Sequence, residues 1–120
     1  MKIASFIHDG RRSYGVVDGD TVVDAGAVLG QKHADLRSVL ASDDGLADLA
    51  KLVNAPRLSI EEIEWLPAIP NPDKVLCVGL NYLKHIIETG RETPKHPTLF
   101  TRFPSAQVGH DRPMILPKAS

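Results

Sequence analysis

The stretch "SYGVVDGDTVVDA", residues 13–25, constrains the fold more than any other. Two valine-rich runs flank Asp18–Gly19, and a glycine there supplies the positive φ that a two-residue hairpin loop needs. Upstream, "KIASFI" alternates Ile3, Ser5 and Ile7 against Ala4 and Phe6, and "HDGR" follows as a turn. Three short strands therefore form a meander, with Gly10, Gly15 and Gly19 expected at its tight turns. Such a unit needs further partners for stability. The glycines do not form a phosphate cradle, because no helix start follows a strand and a glycine run.

The period then changes. Leu36, Val39 and Leu40 fall at i, i+3, i+4, and Leu46, Leu49, Ala50 and Val53 repeat that stripe. Asp43 or Asp44 is placed to cap the second of these helices. Two amphipathic helices are thus expected across the meander, with Asp35, Arg37, Asp48 and Lys51 on a solvated face.

"SIEEIEWLP" carries two readings. Ser59 and Glu62 match a capping box, whereas Ile63 and Trp65 alternate with Glu62 and Glu64 as in a strand. Pro67 limits any helix, so a strand is expected. "PAIPNPDK" breaks the composition, and the domain boundary is placed there: residues 1–67 as a small N-terminal domain, 68–120 as a second. Beyond it "KVLCVG" reads as a buried strand, and "HPTLFTRF" and "PMILP" as two more.

A 42% apolar and 24% charged composition is that of a globular chain able to form a core. The formal charge of −1 carries no nucleic-acid footprint. No apolar run is long enough for a membrane span, and "MKIASFIHDG" lacks the apolar core of a secretory signal, so a cytoplasmic location is expected. The one cysteine, Cys77, excludes an intrachain disulfide, and its apolar neighbours point to a buried, inert thiol.

"GLNYLKHIIETG", residues 79–90, carries the chemistry. Asn81 is placed as N-cap and Gly90 as the C′ residue. Leu83, Ile86 and Ile87 fall on one side, Lys84, His85 and Glu88 on the other, and Tyr82 near the border. At i, i+3, His85 and Glu88 are within hydrogen-bonding reach. One reading is a solvated helix face; the other is a general-base pair in which Glu88 orients His85. Helical periodicity does not separate them.

Read as one string, "KVLCVGLNYLKHIIETG" followed by "HPTLFTRFPSAQVGHDRPMILP" resembles the fumarylacetoacetate hydrolase family. The elements are a strand ending in V-G-x-N-Y, then H-x-x-E on a short helix, then L-F-x-R/K-x-x-S-x-x-x-G, in order over residues 74–117. The resemblance implies an α+β fold: a small N-terminal β-meander with two short helices, then the opening strands and lid helix of a β-rich catalytic domain. It implies His85 as the base that activates water and Glu88 as its partner. It also implies a divalent ion, Mg²⁺ or Mn²⁺, held by a Glu-x-Glu pair and an Asp further along such chains, acting as Lewis acid on 2-oxo-acid or diketone oxygens.

Two departures stand out. Arg102 occupies the position that is often Lys; an arginine clamps a carboxylate but is a poor proton shuttle, so it is either a substrate contact or a strand-edge charge in solvent. The chain also ends at "ILPKAS" before the metal-binding segment would begin, which reads as a truncated fragment. Glu61, Glu62 and Glu64 precede the His–Glu helix and are expected on the exposed side of a strand, so no metal ligand is assigned. Ser105 shapes the site or, more simply, stabilises a turn; Tyr82 touches substrate or packs on the core. His8 and His33 read as surface loop residues, and His96 and His110 as loop residues without metal-ligand spacing.

The activity so implied is hydrolytic C–C cleavage of acylpyruvate- or fumarylpyruvate-type 2-oxo or β-diketo acids, in a whole protein that forms a homodimer. A hydratase, isomerase or decarboxylase of related 2-oxo dicarboxylates is the near alternative. A catalytically inert structural fragment is the distant one. Dinucleotide binding is weakest, since "CVGLNY" has one glycine where that fingerprint needs three.

Overall fold

The computed structural model describes residues 1–52 and 54–118; Val53, the last member of the second helical stripe, lies outside them. The architecture is α+β and divides into two compact units. One comprises Met1–Asn71 and the segment from Gln107 onward, the other Pro72–Ala106.

In the first unit, β1 (Lys2–His8), β2 (Arg11–Asp18) and β3 (Thr21–Asp24) form the expected meander. Pairing is antiparallel, with Ser5 opposite Tyr14 and Val17 opposite Val22. The loops are tight because Asp9 and Gly10 (φ 48° and 73°) and then Gly19 (φ 58°) adopt left-handed conformations. Gly15 does not serve a turn. It lies in mid-β2, where a Cβ would collide with the carbonyl oxygen of Val23, so its role is close approach of two backbones. β4 (Arg57–Ser59) joins β3 and β5 (Glu64–Trp65) joins β1, giving a five-stranded sheet in the order β4-β3-β2-β1-β5.

Three helices accompany the sheet, one more than the periodicity indicates: α1 (Ala25–Leu29), α2 (Leu36–Leu40) and α3 (Gly45–Ala50). Tyr14, Ala25, Leu36, Val39 and Leu49 form the buried core, with Ile3, Val16, Leu29, Leu52 and Ile69 packed against it. Two polar groups organise this layer. Asp24, 2% exposed, accepts from the Ala27 amide (3.1 Å), from Arg11 Nη2 (2.6 Å) and from the Ser13 hydroxyl. Tyr14 donates to the His33 carbonyl (2.7 Å), and burial, with Asp35 and Asp24 nearby, pushes its phenol up to about 12.

Several expectations fail for identifiable reasons. His33 is 4% exposed, not a surface residue, and its Nε2 lies 3.1 Å from Asp48 Oδ2, which also accepts from Lys32 Nζ at 2.6 Å. Asp35 is likewise not a bare solvated charge. It caps α2 through the Ser38 amide (2.7 Å) and accepts from Asn71 Nδ2 (2.7 Å). Arg37 donates to the Asn71 carbonyl. Asp44 stands at the N-cap of α3 without a side-chain cap bond, and Leu40 and Leu46 are exposed. "SIEEIEWLP" divides between its two readings: Ser59 and Glu62 form a capping box on a 3-10 turn (Ile60–Glu62), and only Glu64–Trp65 is strand. "PMILP" forms no strand, and Met114, Ile115 and Leu116 are exposed.

The second unit is smaller. β6 (Val75–Gly79) pairs antiparallel with β7 (Thr98–Arg102), Gly79 opposite Thr98 and Val75 opposite Arg102. Between them lies α4 (Leu83–Glu88), and a 3-10 turn (Pro104–Ala106) follows β7. "KVLCVG" is a strand but not a buried one: Leu76 and Val78 are exposed and Cys77 is half-buried. With only one partner strand, neither of its faces is fully covered.

Gly15→Ala is expected to cost about 1–3 kcal/mol, as overpacking does, read as a lower urea midpoint at unchanged slope using fluorescence of Trp65. A midpoint equal to that of the parent protein would refute the close approach. The pKa of Asp35 is lowered from 3.8, mainly by the Ser38 amide, and that of Asp48 from 3.8, mainly by Lys32. The unfolded chain therefore binds protons more readily. The stabilisation is complete well above pH 3.8 and is lost as pH falls through that value and below. Asp35→Asn should flatten this acid limb in pH-dependent unfolding; an equally steep limb would remove Asp35 from it.

Candidate active-site helix and cleft

α4 is short because the residues on either side stop it. Tyr82, extended at φ −113°, is the N-cap in place of Asn81 and makes no side-chain cap bond. Gly90 (φ 63°) is the left-handed residue just past the C-cap, as expected. The Thr89 hydroxyl donates back to the carbonyls of His85 (2.9 Å) and Ile86 (3.1 Å), tying down the last turn.

Of the expected apolar side only Ile86 is buried, at 6% exposure; Leu83 (65%) and Ile87 are open. His85 and Glu88 stand one turn apart and exposed, and no hydrogen bond joins them. Tyr82, 75% exposed, packs on no core. Arg102 sits at the far end of the β6–β7 ladder, four residue steps or about 13 Å from the Thr98–Gly79 pair. Its guanidinium lies 6.0 Å from the ring centroid of Phe100, its neighbour on the same strand face. Ser105 is exposed in the 3-10 turn, which is closed by the Ala106 amide and the Phe103 carbonyl without help from its hydroxyl. The expected site residues thus fall into two groups, α4 and the end of β7, not into one cluster.

The second unit does contain a cleft, of about 360 Å³. Val78, Gly79, Leu80 and Asn81 form one wall, Leu83 and Ile86 of α4 another, and Thr93 to Pro97 the third. It meets the apolar side of α4, so His85 and Glu88 are not among its lining residues. Leu80 has φ 52°, a left-handed conformation that costs a residue with a Cβ about 1–2 kcal/mol.

No protein-family model matches the chain. It is 32% identical over 106 residues to an oxaloacetate tautomerase of Xenopus laevis described as mitochondrial, covering 86% of this chain and 33% of that protein. It is 36% identical over 75 residues to the fumarylacetoacetate hydrolase domain-containing protein 2 of Pongo abelii, covering 62% and 24%. A crystal structure from Mycobacterium smegmatis, of a protein provisionally named HpcE, superposes with a TM-score of 0.72 at 29% identity, over 95% of this chain and 40% of that one. The chain belongs to the fumarylacetoacetate hydrolase family. It spans about a third or less of the curated relatives named here.

Within this fumarylacetoacetate hydrolase-family chain, the described residues do not fit a divalent ion. Among the described residues no three His, Cys, Asp or Glu side chains come together as a metal site. Glu62 accepts from the Ser59 amide, and Glu64 is paired with Arg112 at 2.7 Å. No helix among the described residues is long and apolar enough to cross a membrane. Of the polar cleft residues, Asn81 is expected only as a helix cap and His96 only as a loop residue, and Thr93 and Lys95 carry no expectation from the sequence. The visible signal was "TPKHP", a Lys–His pair bracketed by two prolines.

Proposed function

We propose that this chain is part of an enzyme acting on small 2-oxo acids, with His85 as the proton-transferring base and Glu88 as its partner. The observation that carries the reading is the 32% identity over 106 residues to an oxaloacetate tautomerase. The exposure of both side chains on one side of α4 supports it, since neither is consumed by an internal contact.

Tautomerisation requires one proton to leave the enol hydroxyl and one to arrive at the adjacent carbon. A neutral imidazole takes the first and, as imidazolium, returns it to carbon, while a carboxylate beside it stabilises the charged ring. The hydrolytic reading uses the same pair on water: the hydroxide so formed adds to a carbonyl carbon, and collapse of the adduct breaks the C–C bond. The departing enolate then takes the proton back from the imidazolium. Solvent access to His85 favours this second reading, and the tautomerase name of the Xenopus laevis relative favours the first. In either, Arg102 is a candidate partner for a substrate carboxylate, and the whole protein is a homodimer.

His85→Ala in the protein as it occurs should lower turnover of enol-oxaloacetate, or of an acylpyruvate, by roughly a hundredfold, the typical loss of a general base. Because the ring is exposed, the unfolding midpoint should stay within the range of a surface substitution. Undiminished turnover on both substrates would remove His85 from the chemistry.

A further inference from the structure

We propose that the cleft of the second unit is a binding site for a small carboxylate with a short hydrocarbon stem, separate from the His85–Glu88 side of α4. The walls divide by chemistry. Val78, Leu83 and Ile86 supply apolar lining, while Asn81, Thr93, Lys95 and His96 supply polar lining. The lining residues include one lysine and one histidine and no aspartate or glutamate, so the potential at the mouth favours an anion.

Burial supports the same division. Leu83 lies on the helix face that amphipathic spacing marks for a core, yet it is 65% exposed and lines the cleft. Leu80 holds its left-handed conformation at the wall, and a strained residue of this kind is commonly kept where a binding surface requires it. A volume of about 360 Å³ is at the lower end of small-molecule sites, which suits a ligand of a few carbons. The stem lies on Val78, Leu83 and Ile86, and the carboxylate meets the Lys95 ammonium with the Thr93 hydroxyl and Asn81 amide as further donors.

Amide chemical shifts of the 120-residue chain, followed by NMR during titration with butyrate, acetate, 1-butanol and inorganic phosphate, test this. Butyrate should give saturable shifts at residues 78–83, 86 and 93–97, with a Kd on the order of 10 mM given exposed charge pairs. Acetate and butanol, each carrying half of the ligand, should bind at least fivefold more weakly. Lys95→Met should weaken butyrate at least fivefold, and Lys95→Arg should restore it. Equal affinity for phosphate and butyrate would reduce the cleft to an unselective charge and overturn the proposal. So would saturable shifts elsewhere, or butyrate binding indifferent to Lys95→Met. Turnover by His85 is an independent readout: its absence would sink the enzyme reading and leave this site standing.

Discussion

The first unit depends on what Asp24 does at the junction of β3 and α1. A carboxylate at 2% exposure is costly unless its lone pairs are filled, and here three donors fill them. The Ala27 amide makes it the cap that begins α1, while Arg11 and Ser13 reach it from β2. One side chain therefore fixes where the chain leaves the sheet and which register of the β2–β3 ladder it leaves from. The core follows from that turn, since Ala25 and Leu29 meet Tyr14 only if α1 folds back over the sheet.

The second unit lacks such a buried polar anchor. Its organisation comes from the β6–β7 ladder and from α4, whose two faces have different fates. One face sets Ile86 inside and opens Leu83 to the cleft, and the other carries His85 and Glu88 outward. The His85–Glu88 pair and the cleft thus lie on opposite sides of a six-residue helix. A helix this short owes its existence to tertiary contacts and to its ends, since so few residues do not sustain a helix alone.

Much of the meander was legible because hairpin loops and alternation are local signals, and Gly10 and Gly19 behave as such. The failures are non-local. His33 and Asp48 are far apart in sequence and are brought together only when α3 packs, so no periodicity marks His33 as buried. Gly15 looks like another turn residue until β3 lies beside it. α1 was hidden because "DAGAVL" is too short to display a period, and its one clear cue, an Asp followed by small residues, was read as the end of a strand. For the site, the ordered string over residues 74–117 identified the family. The orientation of α4 was not in it, because an amphipathic pattern says which residues differ and not which side meets a cavity.

Pro94 and Pro97 bracket Lys95 and His96 in the cleft lining. Each ring fixes its own φ, and each restrains the residue before it. That freedom is already missing from the disordered polypeptide, so little remains to be lost when the segment settles around a guest. A wall stiffened covalently in this way holds its shape while empty, so any selection of the proposed guest would reside in the pyrrolidines as much as in the lysine between them.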